Sequence, residues 1–248
     1  MKHRGGFHLI GHRGAAAHAP ENTLASFHKA IDMGATMLEL DIHLTNDQEI
    51  VVIHDHEISR TTSGSGLVSN MTLREIREYD AGSWMHPDFK GEKVPILREV
   101  MELIHKDNIF LNIEIKAGEK IHIGLVDKLL ELVGEYDTAD MIVISSFHRE
   151  YLKEIKEKAP AIEVALLYAG DVPDALDEAV GEGWEGLHPH FPLIDEKLIE
   201  GARQRGLAVR AWTVNRPDDM RRLMDFGVDG ICSDVPDVLN KIVAEFTI

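Results

Sequence analysis

The chain has 248 residues, 44% apolar and 28% charged, the balance of a globular protein built around one large core. A formal net charge of −17 argues against a general nucleic-acid or anionic-membrane binder, although local positive charge inside a site can still hold an anionic substrate. The single cysteine, Cys232, excludes an internal disulfide framework, and neither the N-terminal stretch nor any later run is apolar enough for a signal peptide or a membrane span. A cytoplasmic protein with no stable membrane insertion is the expectation.

Residues 7–10 form a short apolar run ending at Gly11-His12-Arg13-Gly14. Leu24, Phe27, Ala30 and Ile31 then recur with helical spacing over residues 22–33; Pro20 and Asn22 or Thr23 supply start signals and Gly34 a stop. The next stretch, MLELDIHLTNDQEIVVIHD over residues 37–55, places Glu39 and Asp41 two apart in a strand pattern, so both face the same way. Only residues 42–49 separate Asp41 from the second apolar run. A parallel crossover needs a dozen residues or more, so the second run is expected to return antiparallel. A turn about Asn46-Asp47 would set His54 directly opposite Glu39, a placement that a slip of one residue destroys.

The segment that follows is too long for a simple connection. It joins TTSGSG, a helix-like TLREIREYD, an irregular AGSWMHPDFKGEKVP and a second helix-like ILREVMELI. An insertion at about 57–106 is therefore expected to cap the site. Further strand patterns lie at 109–115, 141–145, 162–167, 186–188, 207–213 and 230–233, and helical patterns at 122–133, 149–158, 173–180, 195–205, 217–226 and 236–246. With the hairpin return left out, the strands number eight. This predicts an α/β fold, a (β/α)8 TIM barrel over 1–248 as a single domain, with a short antiparallel hairpin after strand 2 and a small cap insertion.

Polar residues gather at the carboxyl ends of these strands, where barrels of this type carry their chemistry. Glu39, Asp41 and Glu114 would bring three carboxylates into one mouth, where they repel one another unless a cation intervenes. Oxygen ligands suit one hard divalent cation, Mg²⁺ or Ca²⁺. The plainer alternative pairs the carboxylates with Arg13 and Lys116 as buried salt bridges. Among fourteen histidines, His12 and His54 flank the inferred cation and suit a general base and a general acid. Arg13 and Lys116 would complement phosphate oxygens. Trp212 fits either core packing or the apolar wall of a substrate pocket, Pro20 to Thr23 suit a helix start, and Cys232 fits a buried thiol. Signatures of P-loop, dinucleotide-binding and serine-hydrolase sites are missing from the sequence.

Taken alone, these patterns point to a metal-dependent barrel enzyme acting on an anionic group. The stretches GHRG with APENT, LELDIHLT, VVIHD with SRTT, IEIK, ISSF, AWTVN and GVDGICSDVP resemble the glycerophosphodiester phosphodiesterase family, in that family's order and over nearly the whole chain. The resemblance implies hydrolysis of a small-molecule glycerophosphodiester to sn-glycerol 3-phosphate and an alcohol. It assigns His12 and His54 to the acid–base pair, Glu39, Asp41 and Glu114 to the metal, and Arg13 and Lys116 to the phosphate. Cys232 departs from the family, which more often has a hydroxyl or aliphatic residue there. A lysophospholipase D or a phosphoinositide phospholipase C would need apolar surface at the mouth, of which Trp84, Met85 and Phe89 offer little. A non-enzymatic glycerophosphate-binding barrel would lack one of the histidines or carboxylates. Headgroup preference and the formation of a homo-oligomer are left open by the sequence.

Overall fold

The computed structural model describes residues 6–116 and 122–246. In chain order the elements are β1 (His8–Gly11), α1 (Leu24–Asp32), β2 (Met37–Leu44), β3 (Ile50–Val52), α2 (Leu73–Ile76), α3 (Leu97–Asp107), β4 (Phe110–Ile115), α4 (Leu125–Glu135), β5 (Ile142–Ser146) and α5 (Arg149–Lys158). They continue as β6 (Glu163–Tyr168), α6 (Ala175–Glu182), β7 (Gly186–Pro189), α7 (Glu196–Arg205), β8 (Ala208–Ala211), α8 (Pro217–Phe226), β9 (Gly230–Ser233) and α9 (Pro236–Glu245). Strands β1, β2 and β4 to β9 pair in parallel, and β1 against β2 closes the ring. The eight-stranded barrel expected from the sequence is present. No described helix is long and apolar enough to cross a membrane.

The strands are buried on both faces, which is why they appear in the sequence as apolar runs rather than strict alternations. Outward-facing Leu38, Leu40, Ile42, Leu111 and Ile113 join the helices in the main core. Inward-facing Ile10, Met37, Val143, Ala165 and Cys232 form a smaller apolar plug inside the barrel. Each fully buried Leu or Ile contributes roughly 1.5–3 kcal/mol, so the ring is a firm base for polar groups at its mouth. Deeper inside, Arg210 of β8 donates to Glu163 of β6 at 2.7 Å, a buried ion pair that spans the intervening β7.

The hairpin is present, but its register differs from expectation. Ile42 faces Val52, His43 faces Val51 and Leu44 faces Ile50, one residue away from the pairing that would oppose His54 to Glu39. The turn is the reason. The Thr45 amide donates to the Glu49 carbonyl at 2.9 Å and the Glu49 amide to Thr45 Oγ1 at 2.9 Å around residues 46–48, with Gln48 in the left-handed region at φ 65°. A three-residue turn thus replaces the two-residue turn about Asn46-Asp47. The Ile53 amide still donates to the Asp41 carbonyl at 3.0 Å, after which the chain bends out of the ladder before His54.

Strand β2 serves two structures in succession. Met37 and Leu38 pair with β1, whereas Ile42 pairs with Ile115 of β4 on one edge and Val52 of β3 on the other. Strand β3 therefore takes the edge that β1 has left. The insertion packs against this outer hairpin: Ile58, Val68, Ile76, Ala81 and Val94 cluster with Val51 and Ile53. Helix α3 packs differently, burying Leu97, Val100, Met101 and Ile104 in the main core, so the separately packed part of the insertion ends before it.

Candidate active site at the barrel mouth

Strand β2 directs Glu39 and Asp41 to the barrel interior, and β4 directs Glu114 beside them, with Asp41 and Glu114 in register. One ligand oxygen from each of these buried carboxylates lies within 4.8 Å of the others. Lys116 donates to Glu114 Oε1 at 2.6 Å and lies 3.2 Å from Asp41 Oδ1. Arg13 Nε lies 3.3 Å from Asp41 Oδ2, and its backbone amide donates to Glu39 Oε2 at 2.9 Å. Three carboxylates thus face two cations.

That imbalance is visible in the acidities. Burial pushes the Glu39 carboxyl well up, and the neighbouring Asp41 and Glu114 add to it. Glu114 is pushed up to about 7 by burial and by Asp41, against the pull of Lys116. Burial acts on Asp41 in the same direction, but Lys116 and Arg13 outweigh it and hold that carboxyl well below the usual carboxylate range. Asp41 Oδ1 is buried and accepts no hydrogen bond. A negatively charged, oxygen-only pocket with an unsatisfied buried lone pair fits a hard divalent cation.

The turn after β1 places Arg13. Arg13 and Gly14 both have positive φ, 50° and 85°, and the Ala15 amide then donates to Ser26 Oγ and the Ser26 carbonyl at the start of α1. A Cβ at position 14 would meet the Ser26 carbonyl oxygen at 2.7 Å, so only glycine fits. Thr23 caps α1, its Oγ1 accepting from the Ser26 amide, as a helix-start device should. Its neighbours do more. Asn22 Nδ2 donates to Asp41 Oδ2 at 2.8 Å, and Glu21 Oε1 accepts from Arg13 at 2.8 Å.

Both histidines are held in the same manner. His12 Nδ1 is 2.6 Å from Asp234 Oδ1, and Asp234 Oδ2 accepts from Asn215 Nδ2 at 2.6 Å. His54 Nδ1 is 2.6 Å from Asp55 Oδ1. With Nδ1 engaged, Nε2 is the nitrogen of each ring left for other partners. Burial lowers the His54 pKa, with Asp41 opposing and Arg13 and Lys116 reinforcing the shift.

A cavity of about 380 Å³ opens beside the carboxylates, lined by His54, Asp55, His56, Glu114, Ile115, Lys116, Phe147 and His148. Trp212 lies outside this lining. Its indole N–H donates to the His188 carbonyl at 2.7 Å, and Phe147 meets it edge to face at 5.6 Å, so Phe147 links it to the cavity. The insertion contributes nothing from residue 57 onward to this cavity. The structure brings Arg13, Glu39, Asp41, Glu114 and Lys116 into direct contact, with His54 beside them. Sequence reasoning passed over Asp55 and Arg60, put Asp234 after the last strand without a role, and took Glu21 and Asn22 as parts of a helix start. Asp55 and Asp234 follow polar strand-end residues, and Glu21, Asn22 and Arg60 lie in the quoted APENT and SRTT stretches.

The sequence pattern of the glycerophosphoryl diester phosphodiesterase family matches residues 12–238. A glycerophosphodiester phosphodiesterase of Caldanaerobacter subterraneus subsp. tengcongensis is 40% identical over 95% of this chain and 97% of its own length. One from Bacillus subtilis is 33% identical over 94% of this chain and 85% of its own. Among solved structures, an Oleispira antarctica phosphodiesterase in complex with the product sn-glycerol-3-phosphate superposes with a TM-score of 0.90 at 30% identity, over 95% of this chain and 96% of that one. From its sequence pattern, its relatives and its barrel, the chain belongs to the glycerophosphoryl diester phosphodiesterase family.

Proposed function

We propose that the chain hydrolyses glycerophosphodiesters to sn-glycerol 3-phosphate and an alcohol, with a divalent cation at the carboxylates and acid–base work by His12 and His54. The observation that carries this reading is the three buried carboxylates with ligand oxygens within 4.8 Å of one another, set against two cations, Arg13 and Lys116, among the described residues. Glu39, Asp41 and Glu114 would hold Mg²⁺ or Ca²⁺, which supplies Lewis-acid polarisation of the phosphoryl group when bound.

Arg13 and Lys116 bind and orient the non-bridging phosphate oxygens, compensating charge that builds up as the nucleophile attacks. His12 takes a proton at Nε2 from the nucleophile, water or the substrate's own glycerol 2-hydroxyl; in the second case the alcohol leaves a cyclic phosphate, which water then opens to sn-glycerol 3-phosphate with the two histidines exchanging roles. Asp234 then stabilises the resulting imidazolium and keeps the ring in one orientation. His54 gives the proton on Nε2 to the leaving alkoxide oxygen as its bond to phosphorus breaks, steadied by Asp55. Phe147 forms an apolar wall of the cavity, and Trp212 supports it from behind, edge to face at 5.6 Å. Only Ile115 and Phe147 are apolar in the cavity lining, and Trp84 directs its indole N–H to the Ala81 carbonyl inside the insertion. An acyl-bearing lysophospholipid therefore finds little to bury against.

The test is a substrate series of glycerophosphocholine, glycerophosphoethanolamine, glycerophosphoglycerol and lysophospholipids, with Mg²⁺ and Ca²⁺ varied. Activity on the glycerophosphodiesters should vanish with chelator and return with the cation. His12→Ala and His54→Ala should each lose at least ~100-fold in turnover. Turnover indifferent to chelator overturns the cation, and near wild-type turnover in either variant overturns the acid–base pair.

A further inference from the structure

We infer that Arg60 is a positioning residue for both halves of this site, orienting His54 through Asp55 and Arg13 through Glu21. The inference rests on the proposed roles of His54 and Arg13.

Arg60 spends all three guanidinium nitrogens on two carboxylates. Nε donates to Asp55 Oδ2 at 2.6 Å and Nη2 to Asp55 Oδ1 at 3.1 Å. Nη1 donates to Glu21 Oε2 at 2.8 Å and Nη2 to Glu21 Oε1 at 2.8 Å. Among the described residues each carboxylate has one further hydrogen-bond partner, and in both cases that partner is a group assigned to the chemistry. Asp55 Oδ1 meets His54 Nδ1 at 2.6 Å, and Glu21 Oε1 accepts from Arg13 Nη1 at 2.8 Å. The chain of contacts runs without a break from His54 to Arg13, and Arg13 continues it to Glu39 and Asp41.

An ion pair on the surface is ordinarily worth only ~0–1 kcal/mol and orients nothing. Arg60 is 44% exposed, which invites that reading. Three observations oppose it. Paired donors fork onto each carboxylate, a geometry that fixes direction as well as distance. Glu21 is only 12% exposed, so its charge is felt by its neighbours. The base of the Arg60 side chain is also anchored: Ile58 is fully buried, its amide donates to the Gly66 carbonyl at 3.0 Å, and Thr62 Oγ1 donates to the Ile58 carbonyl at 2.7 Å.

The two arms do different jobs. Without Arg60, the Glu21 carboxylate loses the donors that fix its direction, and the Arg13 guanidinium loses the steadied partner that aims it at the phosphate, which weakens substrate binding. Without Arg60, Asp55 loses the donors that fix its carboxylate plane, and the His54 ring loses the partner that sets its tautomer and direction, which slows proton transfer. An arginine of the insertion thereby serves a mouth whose cavity the insertion does not line.

The test uses the full chain with its cation and glycerophosphoethanolamine as substrate. Asp55→Asn should lower kcat by ~10-fold or more with KM little changed, and Glu21→Gln should raise KM by ~10-fold with kcat little changed. Arg60→Ala should show both defects, and adding Asp55→Asn to it should lower kcat no further, because the two changes cut one connection. Unfolding midpoints and cation binding should stay near wild type. Wild-type kinetics in Arg60→Ala, or fully additive losses in the double variant, overturn the inference. Should Arg60→Ala fail to fold, Arg60→Lys carries the test, since one ammonium cannot fork onto two carboxylates: both defects must appear there, and wild-type kinetics refute the proposal. A wild-type enzyme that turns over no glycerophosphodiester would instead refute the proposed function, a result distinct from an active enzyme indifferent to Arg60.

Discussion

Replacing Glu114 by Gln should stabilise the cation-free protein while removing its ability to be stabilised by a cation. In the folded chain the Glu114 carboxyl is raised from its ordinary 4.5 to about 7 by burial and by Asp41. A tenfold change in proton affinity is worth ~1.4 kcal/mol, so the ionised form costs the cation-free fold ~3 kcal/mol. The sign follows from linkage: a carboxyl whose folded pKa lies above its unfolded one contributes stability fully below 4.5 and loses it as the pH rises through about 7. Gln is neutral at every pH, and its side-chain oxygen can still accept the hydrogen bond that Lys116 gives to Oε1. Denaturation in chelator at pH 5 and pH 8 measures the difference. Near pH 5 the variant and wild type should be close, and at pH 8 the variant should be more stable by up to ~3 kcal/mol, or roughly 6–12 °C in midpoint for a chain of this size. Adding Mg²⁺ or Ca²⁺ should reverse the order, because a ligand at a thousand times its Kd adds ~4.1 kcal/mol to wild type alone. A variant less stable than wild type at pH 8 in chelator would refute the reasoning, as would a gap that ignores pH.

Three further outcomes follow from features outside that cluster. His43 is buried and its pKa is lowered to about 4, chiefly by burial, so the unfolded chain takes up its proton near 6.5 before the folded one does; stability is full above 6.5 and falls by ~3 kcal/mol as the pH drops to about 4. His43→Gln should flatten that slope in acid denaturation, and an unchanged slope would contradict it. Gly14→Ala should cost ~1–3 kcal/mol through its positive φ and the clash with Ser26, measured by urea denaturation; equal stability would show that the turn tolerates a side chain. Ile58→Ala removes a fully buried side chain from the small cluster of the insertion and should cost ~2–5 kcal/mol locally, seen as protease cleavage confined to the insertion; cleavage spread evenly over the barrel would contradict the separate packing.

The barrel was legible because strands buried on both faces leave unbroken apolar runs, and because Leu24, Phe27, Ala30 and Ile31 keep the helical period on an amphipathic surface. Glu39, Asp41 and Glu114 stood out for the opposite reason: charge inside such runs is costly, so its presence needs a cause. The hairpin register was hidden in Gln48, whose left-handed backbone adds a residue to the turn without the Gly that usually announces it. The partner of His12 was hidden by distance along the chain, whereas that of His54 is its immediate neighbour Asp55. His12 and Asp234 are 222 positions apart and meet only because β9 lies beside β1. Arg60 could not be placed before the insertion's direction was known, since nothing local tells an arginine in an irregular segment which carboxylates it will find.

The outer hairpin also decides how this enzyme can vary. The insertion leaves after β3 and comes back to it: the Val52 amide donates to the Pro95 carbonyl at 2.8 Å, and Val51 bridges Ile96. Entry and exit therefore lie together on a strand that takes no part in closing the ring. A module with adjacent ends can grow, shrink or be exchanged at little cost in chain entropy and without straining the scaffold beneath it. What any replacement must preserve is small: the apolar contacts to Val51 and Ile53, and a guanidinium delivered between Glu21 and Asp55.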